Sequence, residues 1–147
     1  MRIAIGCDHG GIVLKPAIIE YLEKKGVEYT DFGTFDTASV DYPLYAKKVA
    51  EAVASGDYDK GILLCGTGIG MSIAANKVKG IRAAVLSDEF SAAACSAHNN
   101  ANILCLGGRV VSPEKGVKLA DLWLTTPFEG DRHNRRLAII AEMDERK

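Results

Sequence analysis

Short apolar runs alternate along this chain with longer stretches in which apolar residues return every three or four positions. The runs are RIAIGC, VEYTDF, GILLC, IRAAVL and NILCL, and the stretches that follow them cover residues 11–25, 43–55, 69–78, 88–97 and 112–124. A short apolar run reads as a buried strand, and the longer spacing reads as an amphipathic helix. Five such repeats predict an α/β fold, with a parallel sheet covered by helices on both faces. Leu14, Ile18, Tyr21 and Leu22 share one helical face, and Asp41 before Pro43 predicts an N-cap with proline in the first turn. Residues 131–147 predict a C-terminal amphipathic helix, with Leu137, Ile140 and Ala141 on one side and charges on the other. Residues 33–42, rich in Thr, Asp and Ser, form the longest loop. No repeat, low-complexity tract or linker interrupts the pattern, so residues 1–147 read as a single domain.

Glycines punctuate this pattern unevenly. Gly10, Gly11, Gly66, Gly68, Gly70, Gly107 and Gly108 follow the first, third and fifth strands directly. In open α/β sheets a ligand lies outside the carboxyl ends of the strands, at the point where strand order reverses. A sheet order of 2-1-3-4-5 puts that point between strands one and three, so the loops CDHGG and CGTGIG face each other.

Composition narrows the function classes. A chain of 147 residues buries enough surface to fold without disulfides. Eighteen basic against nineteen acidic residues give a net charge of -1, without the excess of a general nucleic-acid binder. The first residues, MRIAIGCDHG, enter a strand pattern with no long apolar leader, and no 18 apolar residues run together, so neither a membrane span nor export is expected and the reading is cytoplasmic. The four cysteines, Cys7, Cys65, Cys95 and Cys105, show no C-x-x-C spacing, so free thiols and no bound metal are expected.

The glycine-rich stretch LLCGTGIGMS is the centre of the chemistry. A Walker A loop needs Lys after its last glycine, and Met71 stands there. A dinucleotide fingerprint places its third glycine one residue later and sits on the first strand; with Asp88 as a possible ribose acid, that reading stays a weak alternative. Cys65 at the strand end has the backbone amides of the turn converging beside it. A buried structural thiol is the plain reading, but partial positive charge at a helix start favours the thiolate, the form that acts as base or nucleophile. Cys7 is followed by the opposing charge of Asp8, and Cys95 and Cys105 fall mid-helix and mid-strand, where packing is expected. His9 either pairs locally with Asp8 or projects toward the Cys65 loop. His98, before Asn99 and Asn100, either closes a helix or takes a catalytic role. Arg132 and Arg136 share a helical face and suit a phosphate, while Arg135 and His133 point elsewhere and carry less weight.

Taken together, MRIAIGCDHGG, DYP, CGTGIGMSIAANK, AHNNANILCLGGR and RHNRR resemble, in order and over nearly the whole chain, the ribose-5-phosphate isomerase B family of sugar-phosphate isomerases, which includes galactose-6-phosphate isomerase subunits. The resemblance implies a Rossmann-like three-layer sandwich and an aldose-ketose isomerase that works through an enediolate without metal or other cofactor. It implies Cys65 as the proton-transferring base, His98 as the group that opens the sugar ring, and the loop Gly66, Thr67, Gly68, Ile69 and Gly70 as the holder of the enediolate oxygens. It further implies Asp8, His9, Asn99, Arg109, Arg132 and Arg136 as substrate and phosphate contacts. Part of the family uses a glutamate just after this loop; Met71 occupies that position here, which leaves Cys65 as the available base. A six-carbon sugar phosphate, such as allose or galactose 6-phosphate, needs only a roomier pocket of the same chemistry. A catalytically idle sugar-phosphate sensor and a nucleotide-binding module remain as other classes.

Chain direction adds one expectation. Cys65 ends a strand, whereas His98 ends a helix that runs back along the sheet, so the two fall at opposite edges. An isologous homodimer, alone or as a dimer of dimers, would bring the His98 edge of one chain to the Cys65 edge of its partner and share each active site.

Overall fold

The computed structural model describes residues 1–145 and contains one five-stranded, all-parallel sheet in the order β2-β1-β3-β5-β4. The strands are β1 (Arg2–Cys7), β2 (Glu28–Asp31), β3 (Lys60–Cys65), β4 (Ala83–Val85) and β5 (Ile103–Gly107). The helices are α1 (Lys15–Lys24), entered through a 3-10 turn at Ile12–Leu14, then α2 (Tyr42–Ala54), α3 (Ile69–Ala75), α4 (Glu89–Ala97), α5 (Pro113–Thr125) and α6 (Arg132–Asp144). All five strand-helix repeats predicted from the pattern are present. Among the described residues no helix is long and apolar enough to cross a membrane.

The strand order corrects the expected 2-1-3-4-5. β5 lies beside β3, and β4 takes the edge. The reason is burial: every residue of β5 is buried, while β4 has three residues, none of them fully buried. An apolar run such as ILCLG loses most if left at an edge, whereas the short AAV segment can face solvent. The consequence is local to the site. With β5 next to β3, the loops after β1, β3 and β5 stand side by side at the carboxyl edge of the sheet.

Strand alternation sorts the core into two layers. Ile3, Ile5 and Cys7 of β1, Ile62 and Leu64 of β3, and Leu104 and Leu106 of β5 pack against α1, α4 and α5, with Trp123 fully buried among them. Ala4, Leu63, Cys65, Ile103 and Cys105 face the other way, against α2 and α3. Right-handed crossovers explain the division: α2 and α3 lead chain movement one way across the sheet, α1 and α4 the other. Cys7 and Cys65, both at strand ends, thus face opposite layers.

Two local expectations change. Asp41 occupies the N-cap position of α2 in extended backbone, with a proline in the first turn as expected, but its side chain makes no capping hydrogen bond. In α6, Leu137 is half-buried, Ile140 and Ala141 are exposed, and the residue that docks is His133. The helix lies along the amino edge of the sheet, held at its far end where Gly80 N–H donates to Asp144 Oδ2 at 2.9 Å and Lys79 pairs with Glu145 at 2.6 Å. The predicted helix ran to residue 147; its last two residues lie outside the described ones.

Candidate active site

β3 ends at Cys65, and the chain then turns through Gly66, Thr67 and Gly68 into α3. Gly68 adopts φ +81°, a left-handed conformation open to glycine, and a side chain there would strike the Leu106 backbone at 3.0 Å. The turn brings the Gly68 N–H onto the Cys65 sulfur, donating at 3.0 Å. Cys65 is 5 % exposed and lines a cleft of about 430 Å³ together with Asp8, Tyr42, Gly66, Thr67, Ile69, Gly70, Ile73 and Arg109. Burial pushes Cys7 up to about 11 and also raises Cys95 and Cys105, so all three remain protonated at neutral pH.

Neighbouring loops complete the cleft. Asp8 N–H donates to Leu64 O at 3.0 Å, and Asp8 Oδ1 accepts from Gly10 N–H and Gly11 N–H at 2.8 and 3.0 Å, which fixes a buried carboxylate beside the Cys65 loop. Gly108 N–H donates to Cys65 O and Arg109 N–H to Gly66 O, at 2.8 and 3.0 Å, and the Arg109 side chain lies against Gly66. A side chain at Gly108 would meet Gly10 O at 2.3 Å, so the β1 and β5 loops approach as closely as backbone allows. Thr67 Oγ1 accepts from Ile69 N–H at 3.2 Å.

Tyr42 is a lining residue that the sequence reading did not single out, although its motif DYP was visible. Its ring packs on Gly70, where an added Cβ would fall 2.6 Å from the ring. The loop of residues 33–42 that delivers it is pinned to the body. Lys15 is buried, pairs with Asp31 at 2.9 Å and donates to Thr34 O, and Thr34 N–H donates to Cys7 O at 2.7 Å. His9 belongs to this support: its Nδ1 accepts from Val40 N–H at 3.2 Å, and it does not line the cleft. Met71 is fully buried under the sheet among α2 and α3 residues, so the position after the loop carries packing here.

The remaining predicted site residues gather elsewhere. His98 caps the carboxyl end of α4, its N–H donating to Ala94 O at 2.8 Å, and Asn100 rather than Asn99 takes the left-handed turn, at φ +47°. Cys65 pairs in register with Gly107 while Gly61 pairs with Ile103, so the two ends of this strand pair are about 13 Å apart at about 3.3 Å per residue. His98 precedes the Ile103 end, and Cys65 is at the other. Arg132 and Arg136, both exposed, begin α6 at the His98 end.

His133, discounted in the sequence because it is turned away from the two arginines, is buried here. Its ring stacks on that of His98 with centroids 4.6 Å apart and planes 16° from parallel. Glu129 Oε1 lies 3.6 Å from His133 Nε2 and 4.0 Å from His98 Nε2. No spacing rule would have paired positions 98 and 133. His98, Glu129 and His133 form the one cluster among the described residues that could offer three ligand atoms to a metal ion. As arranged, two nearly parallel imidazole planes keep their in-plane lone pairs from converging on one ion at the usual distance of about 2 Å, so ligation would require a ring to turn.

Comparison with known proteins places the chain in a family. A family model described as Ribose/Galactose Isomerase matches residues 3–140. The chain belongs to that family. It is accordingly an intramolecular aldose-ketose isomerase by class. Ribose-5-phosphate isomerase B of Escherichia coli is 48% identical over 146 residues, covering 99% of this chain and 98% of that protein. The solved ribose-5-phosphate isomerase B of Clostridium thermocellum superposes with a TM-score of 0.97 at 51% identity, covering 99% of each chain. That of Mycoplasma genitalium, solved with bound ribulose-5-phosphate, gives 0.94 at 42% identity over 99% of this chain and 97% of the other.

Proposed function

We propose that this isomerase interconverts ribose 5-phosphate and ribulose 5-phosphate, the whole chain acting as one domain, without metal or other cofactor. The observation that carries the proposal is the Cys65 sulfur held at the end of β3 by the Gly68 amide, inside a cleft lined by one glycine loop, a carboxylate and an arginine. A relative whose structure holds ribulose-5-phosphate supports the five-carbon substrate. Isomerisation moves a proton from C2 to C1 and another from O2 to O1. Cys65 removes the C2 proton, the electron pair becomes the C1–C2 enediolate, and the same sulfur returns the proton to C1. A base and an oxyanion site must lie within bonding reach of the same carbon, and the loop from Gly66 to Gly70 can supply both. Thr67 accepts locally from Ile69 N–H and so keeps its hydroxyl hydrogen for a substrate oxygen.

Ribose 5-phosphate is mostly a closed furanose, so a second group must carry a proton from O1 to the ring oxygen as the C1–O4 bond breaks and the C1 carbonyl forms. We assign that step to His98, with Asn99 beside it. Because His98 and Cys65 lie at opposite edges of one sheet, the reading requires an isologous homodimer, alone or within a dimer of dimers. Ile139, Ile140 and Met143, each more than two-fifths exposed on α6, are apolar surface that a second copy would cover.

The phosphate falls to Arg132 and Arg136. Apart from Asp131 at the N-cap, whose side chain makes no capping hydrogen bond, α6 carries no acidic residue in its first turn and sets arginines at the positive end of its dipole, an arrangement that a bound dianion relieves. Replacing either arginine by alanine is expected to raise KM for ribose 5-phosphate about tenfold or more, the worth of one charge-assisted hydrogen bond, with ribose itself affected far less. Equal losses on both sugars would make the arginines structural.

The reading as a whole is tested by assaying ribose 5-phosphate and allose 6-phosphate side by side in buffer with excess chelator. Faster turnover of the pentose, unchanged by chelation, is expected. Preference for the hexose would overturn the substrate, and activity restored only by added metal would overturn the metal-free chemistry.

A further inference from the structure

His98 is a poor place for a directed imidazole when considered alone. It stands just past the last turn of α4, its side chain is 41% exposed, and among the described residues no backbone partner fixes either ring nitrogen. A proton donor to a sugar ring oxygen must keep its nitrogen within about 3 Å of that atom, and a misplacement of about 1 Å costs on the order of a hundredfold. Something has to hold the ring.

Three contacts converge to do so. The segment before α6 docks on the end of α4, with Glu129 N–H donating to Ala97 O at 3.0 Å, one residue from His98. His133 N–H then donates to Gly130 O at 3.0 Å, and its ring lies under His98 in the stack described above, with the Phe128 ring tilted 53° to it at 6.5 Å between centroids. His133 Nε2 is buried with no hydrogen-bond partner among the described residues, although the Glu129 carboxylate is 3.6 Å away. A buried ring nitrogen without a partner is costly and is kept where it serves a purpose. A small rotation of Glu129 completes a hydrogen bond to either imidazole.

We propose that His133 and Glu129 are positioning residues for the ring-opening histidine: His133 supplies the flat face that sets the plane of His98, and Glu129 is the carboxylate that stops the ring from turning about its own axis. The proposal rests on His98 opening the furanose, and adds to it the two residues without which that ring would wander. The same docking fixes the start of α6, so Arg132 and Arg136 are held in a constant relation to His98, as a substrate with its phosphate and its ring oxygen at a set separation demands.

The test exploits a difference between the two sugars. Ribulose 5-phosphate has its C5 oxygen esterified and cannot close a five-membered ring onto C2, so exchange of its C1 hydrogen with deuterated solvent needs Cys65 but no ring opening. Conversion of ribose 5-phosphate needs both. In the full-length enzyme, Glu129→Gln and His133→Phe should lower kcat on ribose 5-phosphate by about tenfold to a hundredfold while leaving C1 exchange of ribulose 5-phosphate within about twofold of wild type. His98→Gln should show the same split, more deeply. Glu129 is half exposed and its replacement isosteric, so this variant folds even if the buried His133 variant melts early. If Glu129→Gln leaves both activities at wild type, or lowers both equally, while His98→Gln splits them, the positioning role is wrong and the ring-opening assignment stands. If His98→Gln fails to split them, the assignment of His98 is wrong, and the role of His133 and Glu129 falls with it.

Discussion

Cys65→Ala is expected to reduce isomerisation by at least about a thousandfold, within the range that a single acid-base group supplies, while the fold and the affinity for substrate persist. The fold persists because the side chain is small and sits at the end of β3 rather than mid-core; its loss opens space for little more than one sulfur and costs stability on the order of 1 kcal/mol. Binding persists because Arg109, Asp8 and the loop amides are untouched. No other thiol can substitute. Cys105 is on the same face two residues upstream of the strand's end but fully buried, and Cys7 faces the opposite layer. The direct readout is loss of solvent-deuterium exchange at the substrate carbon. A Cys65→Ala protein that still exchanges would mean that another group takes the proton.

Mixing two inactive proteins is the second large effect. Cys65→Ala and His98→Ala, unfolded together and refolded at equal amounts, should recover about a quarter of wild-type sites, since half of randomly paired dimers are heterodimers and each concentrates both lesions in one site. β3 and β5 run parallel in register, with Cys65 opposite Gly107 at one edge, while α4 returns antiparallel and leaves His98 before Ile103 at the other. A single subunit cannot close a strand's length with a substrate of five carbons. Verified heterodimers without activity would mean that both residues act in one chain through a rearrangement of α4.

Much of the fold was legible along the chain. The apolar residues of β1, β3 and β5 and the helical recurrence of Leu14, Ile18 and Leu22 depend on neighbours a few residues away and are buried as the pattern predicts, whereas Tyr21 on the same face is half-buried and β2 and β4 have no fully buried residue. The glycines of the cleft were legible in part: the left-handed turn at Gly68 is a local demand for glycine, whereas the close approach of Gly108 to Gly10 O is made between loops far apart in the chain. Tyr42 was half visible, as part of a motif whose proline starts α2, but its place over Gly70 depends on how residues 33–42 are pinned by Lys15 and Thr34.

What the sequence by itself determined, then, is the alternation of strand and helix, the carboxyl-edge location of the glycine loops, and Cys65 as the thiol among them. Only the tertiary structure decided that β5 rather than β4 neighbours β3, since that choice compares the burial available to two distant runs, ILCLG and AAV, in one sheet. Only the tertiary structure set His133 against His98. On its own helix His133 is one residue among charges, and its burial comes from the docking of α6 on the end of α4, joined through Glu129 and Ala97. Periodicity reports which face of an element is buried by its own body; it carries no record of which other element arrives to cover it, because that is settled by packing between segments far apart in the chain.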